Sequence, residues 1–204
     1  YMDAIACHQA GFINAVATSG TALTVQQVQL LRRYTDTFYF CFDNDNAGWE
    51  AGKRGFLEVL AQEGFVRMVQ IPSGKDPAEC LQSHGGFSDD VSVKVPDGVS
   101  GKSSGENSVG SFGRAISGAR PFLDVYFDRL FEQHFSSDGS ESAVHIMKEA
   151  AAIFQQIRSP VVLDLAVRDL AKRLDVREDS IYQEISRDKT KSFVERIGKS
   201  AKSE

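Results

Sequence analysis

Phe38-Tyr39-Phe40-Cys41-Phe42 runs straight into Asp43-Asn44-Asp45-Asn46-Ala47-Gly48. Five consecutive apolar residues, rich in aromatics and too short for a helix, predict a strand buried on both faces. Two carboxylates, one residue apart, follow where that strand ends, and in open α/β sheets ligand chemistry collects at the carboxyl edge of the strands. If the extended backbone continues, Asp43 and Asp45 point the same way. No Lys or Arg lies in the turn, so two converging carboxylates repel unless a cation sits between them. Oxygen-only ligands of this kind suit Mg²⁺, which takes one or two carboxylates plus substrate phosphates. The same residues equally allow a plainer reading, in which Asp45 only caps a helix beginning near Ala47.

Upstream, the residues after Asp3 predict a helix from Ala4 to Ala10, stopped by Gly11, then a strand over Phe12–Ala17 and a turn at Thr18-Ser19-Gly20-Thr21. Thr24 and Gln27 have the spacing of a capping box, and the helix they open carries Val25, Val28, Leu30 and Leu31 towards a core. Downstream, a helix is expected from Ala47 to Ala61 and a third strand over Phe65–Ile71. Strands alternating with helices imply an α/β fold with a parallel, doubly wound sheet.

Four segments stand in a distinctive order: Tyr1-Met2-Asp3, Ala17-Thr18-Ser19-Gly20-Thr21-Ala22-Leu23-Thr24, Phe42-Asp43-Asn44-Asp45-Asn46-Ala47-Gly48, and Pro72-Ser73-Gly74-Lys75-Asp76-Pro77. In order and spacing they resemble the Toprim domain of bacterial DnaG-type primases, here spanning residues 1–87. The resemblance implies a DNA-directed RNA polymerase that makes short RNA primers on a single-stranded DNA template from ribonucleoside triphosphates. It implies Asp43 and Asp45 as principal metal ligands, with Asp3 joining them as a catalytic and metal-binding group. Ser19, Gly20, Thr21 and Asp76 would contact the nucleotide, and two or more Mg²⁺ (or Mn²⁺) ions would serve as cofactors. It further implies a monomeric cytoplasmic protein and a replicative helicase partner, contacted through a region outside this chain. In the family a strand ending in Glu-Gly precedes Tyr-Met-Asp. The chain starts at Tyr1 without it, which implies an inactive segment of a longer protein whose other parts grip template and bind zinc. Two departures stand out: Ser73 where the family often has an acid, and Asn44 where glycine is commoner.

Each role has a plainer competitor in the residues themselves. Asp3 has the position of a cap for a helix at Ala4, and Asp76-Pro77-Ala78-Glu79 is a well-formed helix start. Ser19-Gly20-Thr21 also serves simply to turn the chain. Lys53 and Arg54 fit a solvated helix face, and His8, His84, His134 and His145 have no mutual spacing that suggests a pair.

Composition sets outer limits. A chain of 204 residues, 42% hydrophobic, holds one large or two small domains with ample core. Its net charge of −5 argues against a free-standing nucleic-acid binder, because phosphate contacts need Lys and Arg. Cys7, Cys41 and Cys80 are far apart, with neither zinc spacing nor a disulfide framework, as in a reducing cytosol. No apolar run is long enough to span a bilayer.

Residues 88–118 lose periodicity and fill with Gly, Ser, Asp and Lys, the composition of a flexible connector. Gly101-Lys102-Ser103 matches only the end of a phosphate-binding loop, since Pro96 stands where that motif needs glycine. Beyond it, residues 119–204 read as an all-helical subdomain, with Pro121 in the first turn of its first helix and apolar stripes that ask for no cofactor. Basic residues from Arg187 to Lys202 suit a solvated terminus. Two other function classes fit the paired aspartates. One is a Toprim enzyme that cuts or rejoins DNA, although Tyr34, Tyr39, Tyr126 and Tyr182 fall in expected helices or the buried strand. The other is a non-catalytic module binding nucleic acid or a replication partner.

Overall fold

In the computed structural model, residues 1–18, 23–43, 45–82, 94–95, 99–100, 108–134 and 139–187 are described. The chain divides into two compact units, Tyr1–Phe122 and Leu123–Glu204.

The first unit is built on a small sheet in which Phe65–Met68 lies between Thr37–Phe40 and Arg120–Pro121. Strand β1 (Thr37–Phe40) pairs in parallel with β2 (Phe65–Met68), Thr37 opposite Phe65 and Phe40 opposite Met68. A parallel pair needs a crossover, and α3 (Asn46–Ala61) supplies it. Burial along β1 alternates: Phe38 and Phe40 are buried, while Thr37 and Tyr39 are half-buried. The strand therefore commits one face fully to the core rather than both. Short β5 (Arg120–Pro121) runs antiparallel to β2, with Arg67 opposite Pro121, so the sheet is mixed. Pro121 thus belongs to a strand rather than to a helical first turn, an edge position that tolerates its missing N–H.

Helix α1 (Met2–Gln9) ends as expected at Gly11, whose φ of +92° is a conformation glycine adopts without strain. The strand expected over Phe12–Ala17 does not form. The Ala15 N–H turns back to the Phe12 carbonyl (3.2 Å), and the Ala15 carbonyl meets His8 Nε2 (2.8 Å). These backbone groups are spent on a local turn, leaving Ile13 and Val16 exposed. The capping box opening α2 (Val25–Leu31) is present as read, with Thr24 and Gln27 bonded reciprocally.

Within the stretch expected to be a connector, α5 (Ser108–Ser117) is a helix. Val109, Phe112 and Ile116 fall on one face of it, a stripe that the surrounding glycines and serines hid. Phe112 is buried and meets Phe12 edge-on, ring centroids 5.3 Å apart. It joins Ala6, Cys7, Cys80 and Leu81 in one core cluster where α1, α5 and α4 (Pro77–Gln82) come together. Earlier in the same stretch, β3 (Lys94–Val95) pairs antiparallel with β4 (Val99–Ser100).

The second unit is helical, as read: α6 (Phe122–His134), α7 (Gly139–Phe154), α8 (Pro160–Leu174), and further helical turns over 178–187. Its core gathers Phe127, Ile146, Ala150, Phe154, Val167, Leu170 and Ile181. Ser159 caps α8 with Pro160 in the first turn, and Asp175 closes it in the left-handed region at φ 53°. Arg173 ties α8 to α6: Nη1 donates to Asp128 Oδ1 (2.6 Å), Nε pairs with Asp169 (2.8 Å), and the guanidinium lies 5.6 Å from the Phe127 ring centre. The basic residues beyond Arg187 lie outside the described residues. Among the described residues no helix is long and apolar enough to cross a membrane.

Candidate acidic site at the sheet edge

The chain leaves β1 through Cys41 and Phe42 and reaches Asp43, an exposed residue just beyond the carboxyl end of the strand. Asp45 follows in extended conformation as the N-cap of α3, and its Oδ1 accepts the Gly48 N–H at 2.7 Å. The plainer reading of Asp45 is therefore correct as far as it goes. Capping occupies one carboxylate oxygen and leaves the group a second with which to accept or ligate.

Asp3 does not cap α1, because that helix already begins at Met2. Its side chain reaches across the fold, where Oδ1 accepts the Ala78 N–H at 3.2 Å. Asp76 caps the same helix, α4, by accepting the Glu79 N–H at 2.7 Å. Glu79 reaches back to the Lys75 N–H (2.8 Å), one residue earlier than a standard capping box requires. Adjacent backbone donors, those of Ala78 and Glu79, thus bring together two aspartates separated by most of the unit. Sequence spacing held no sign of this meeting; only α1 packing on α4 produces it.

Three neighbouring carboxylates act on Asp43. Asp43 is held above the ordinary carboxylate range by partial desolvation, then by the negative charges of Asp3, Asp45 and Asp76. Negative charge gathered in this way favours a nearby cation. Because folding raises the affinity of Asp43 for its proton, its ionisation opposes folding. The opposition is absent below the unfolded carboxylate range and sets in as pH rises through the raised value. Asp43→Asn is accordingly expected to raise the metal-free melting temperature at pH 7, by roughly 1–2 °C at so exposed a position. The gain should fade towards pH 4. Melting curves at both pH values check this, and a gain of equal size at pH 4 would contradict the electrostatic cause.

Among the described residues no group of three His, Cys, Asp or Glu stands ready-made to hold a metal. The donors fit Mg²⁺ nonetheless, since that ion is commonly held by one or two carboxylates, with water and phosphate oxygens completing its shell. Ser19, Gly20 and Thr21, expected at the nucleotide, lie outside the described residues, as does Asn44.

The three cysteines, scattered in sequence, sit in and around the core cluster behind this site: Cys7 and Cys80 are buried in it, and half-buried Cys41 packs against it. Burial, followed by the nearby negative groups, pushes Cys7 up to about 11 and Cys41 to about 12. Reactivity requires thiolate, so labelling with a dithiobis-nitrobenzoate reagent at pH 8 should be slow in the folded chain and fast in denaturant. Rapid labelling of the native protein would show the cluster to be open.

Gly48 is the residue that sequence reading passed over. It appeared only as part of a matching segment, yet it touches both aspartates of the turn.

Comparison with known proteins bears on the two units separately. Residues 1–81 match a family model described as Toprim-like. Residues 123–179 match one described as the DnaB-helicase binding domain of primase. Along 94% of its length the chain is 33% identical to a DNA primase of Clostridium acetobutylicum, of which it spans 28%. Both units are thus similar to parts of bacterial DNA primases. A Campylobacter jejuni DNA primase is 52% identical over 81 residues, 40% of this chain and 13% of that one. Among solved structures, a DNA primase domain from Pseudomonas aeruginosa aligns with a TM-score of 0.68 at 26% identity, covering 91% of this chain and 52% of that one. A DnaG primase catalytic domain bound to single-stranded DNA shares the fold, with a TM-score of 0.65 at 22% identity over 88% of this chain and 50% of that one. The chain therefore spans about half of these solved domains and a smaller share of the curated primases. The α/β-then-helical reading of the sequence agrees with these neighbours. The expectation of a helicase contact outside the chain sits against the second family description, which names a helicase-binding domain within it.

Proposed function

We propose that this chain supplies the metal-binding edge of a primase, a DNA-directed RNA polymerase that makes short RNA primers on single-stranded DNA in the cytoplasm. The observation that supports the reading is that Asp43, just beyond the carboxyl end of β1, feels the negative charges of Asp3, Asp45 and Asp76, within a chain similar to primases.

Primer growth joins a ribose 3′-hydroxyl to the α-phosphorus of a ribonucleoside triphosphate and releases pyrophosphate. The carboxylates of Asp43 and Asp45, with Asp3 beside them, would hold Mg²⁺ or Mn²⁺. Such ions, when bound, sharpen the attacking oxygen and neutralise charge on the leaving phosphates. The residues themselves do the orienting. The Gly48 N–H fixes one oxygen of Asp45, and the Ala78 and Glu79 N–H groups fix one oxygen each of Asp3 and Asp76. In each case one oxygen is tied to the backbone and the other remains to accept or ligate, a preorganisation of the kind phosphoryl chemistry rewards. Asp76 would be an outer member near the nucleotide, with Ser19, Gly20 and Thr21 as further contacts to the triphosphate.

The second unit would serve the helicase contact that its family description names. The test of the reading is ribonucleotide incorporation on a single-stranded DNA template by the full-length protein, with and without divalent cation. Cation-dependent RNA products support it. Cleavage or rejoining of DNA without RNA synthesis would place the chain with other Toprim enzymes, and binding without either would leave only a recognition module.

A further inference from the structure

Gly48 lies on the buried face of α3 and meets both halves of the acidic turn. Its N–H donates to Asp45 Oδ1 at 2.7 Å. A Cβ built on it would overlap the Asp43 carbonyl oxygen and stand 3.0 Å and 3.1 Å from the Asp43 carbonyl carbon and nitrogen. These are backbone atoms, which cannot swing aside as the end of a long side chain does. Any side chain at this position must push α3 and the Asp43 turn apart. Gly52, one turn further on, is buried on the same face, but the atoms nearest a Cβ there would be side-chain atoms, the Phe42 ring at 3.3 Å and the Met68 methyl at 3.8 Å. The two glycines share a helix and a degree of burial, and differ in what they touch.

We propose that Gly48 is a positioning residue for metal binding, holding Asp45 through its N–H and admitting the Asp43 backbone where a methyl group would otherwise stand. This rests on Asp43 and Asp45 being the metal ligands. Mg²⁺ tolerates little departure from octahedral geometry, so a shift in the spacing of two carboxylates reaches the ion directly, whereas repacking against the Phe42 ring reaches only the core.

The experiment is Mn²⁺ binding to the full-length protein, read from the paramagnetic resonance of the free ion, with melting curves recorded alongside. Gly48→Ala is expected to weaken Mn²⁺ binding about tenfold or more, the usual scale for loss of a group that orients a ligand. Gly52→Ala should keep binding within about twofold, and Asp43→Ala should lose binding. Parent-like affinity in Gly48→Ala, with binding lost in Asp43→Ala, overturns the role of Gly48 and leaves the metal assignment standing. Equal weakening in both glycine variants also overturns it, since general loosening would then be the cause. Undiminished binding in Asp43→Ala overturns the assignment itself. Should Gly48→Ala not fold, Asp45→Asn and Asp45→Ala decide in metal-free buffer. The amide oxygen of Asn still accepts the Gly48 N–H, so only the Ala variant should melt lower, by roughly 2–4 °C; equal melting of the two would show that the N–H holds nothing.

Discussion

Asp43→Ala and Asp45→Ala are each expected to lower primer synthesis by the full-length protein about 10³-fold or more. Ligand carboxylates place an ion that contributes several kcal/mol of transition-state stabilisation, and each 1.4 kcal/mol is about a factor of ten. The two variants should part company in stability. Asp43 is exposed, and no hydrogen bond of its side chain figures in the cap of α3. Its removal relieves repulsion from Asp3, Asp45 and Asp76 and leaves the fold intact or slightly firmer. Asp45 caps α3, so Asp45→Ala also loses about 1 kcal/mol of stability. Activity lost in both, with stability lost in one, is the signature of two ligands of which one doubles as a cap. Normal primer synthesis by either variant would sink the assigned roles.

Phe122→Ala carries the largest expected cost in stability, about 3–5 kcal/mol. The ring is 1% exposed. It lies flat against Phe56, centroids 4.1 Å apart and planes 11° apart, and against Trp49 at 5.6 Å and 10°. Both partners project from α3, so the stack fixes the face of that helix that also carries Phe56 into the core. Losing it empties a ring-sized space and removes two stacked pairs, each worth roughly 0.5–1.5 kcal/mol beyond the buried area. Trp49 is the sole tryptophan, so its fluorescence reports the change directly in urea unfolding. Tyr34→Ala, at an 83% exposed position, should cost less than about 0.5 kcal/mol. A Phe122→Ala cost as small as that would show that the stack bears no weight. Because the Trp49 N–H donates to the Asp45 carbonyl (3.0 Å), a loosened stack should also weaken metal binding at the turn.

Local chemistry was legible wherever it was decided by neighbours in sequence. The aromatic run made a strand and its end placed Asp43; the Thr24 box, the Asp76 cap and the Gly11 stop all form, because a cap needs only residues three or four apart. Phe12–Ala17 misled, since an apolar run reads as a strand whether or not a neighbouring strand is there to pair with it. Helix α5 was missed for the opposite reason. Its Val109, Phe112 and Ile116 sit among glycines and serines, and only the burial of Phe112 against Phe12 makes the helix worth forming. His134 and His145 likewise showed no relation in sequence, yet their rings stack 5.7 Å apart, with His134 Nε2 2.9 Å from Glu149 Oε1, once α6 and α7 pack.

Strand-and-helix alternation, the Asp43–Asp45 pair and the likeness to primases could all be read from residue order, since these reside in short-range order and spacing. Tertiary structure alone decided that Asp3 and Asp76 meet at adjacent N–H groups of α4, that three distant cysteines collect behind them, and that Gly48 presses on the Asp43 backbone. Each of these is a contact between segments whose separation along the chain carries no information about their distance in space. Packing of one helix on another, or of a helix on a strand end, sets that distance.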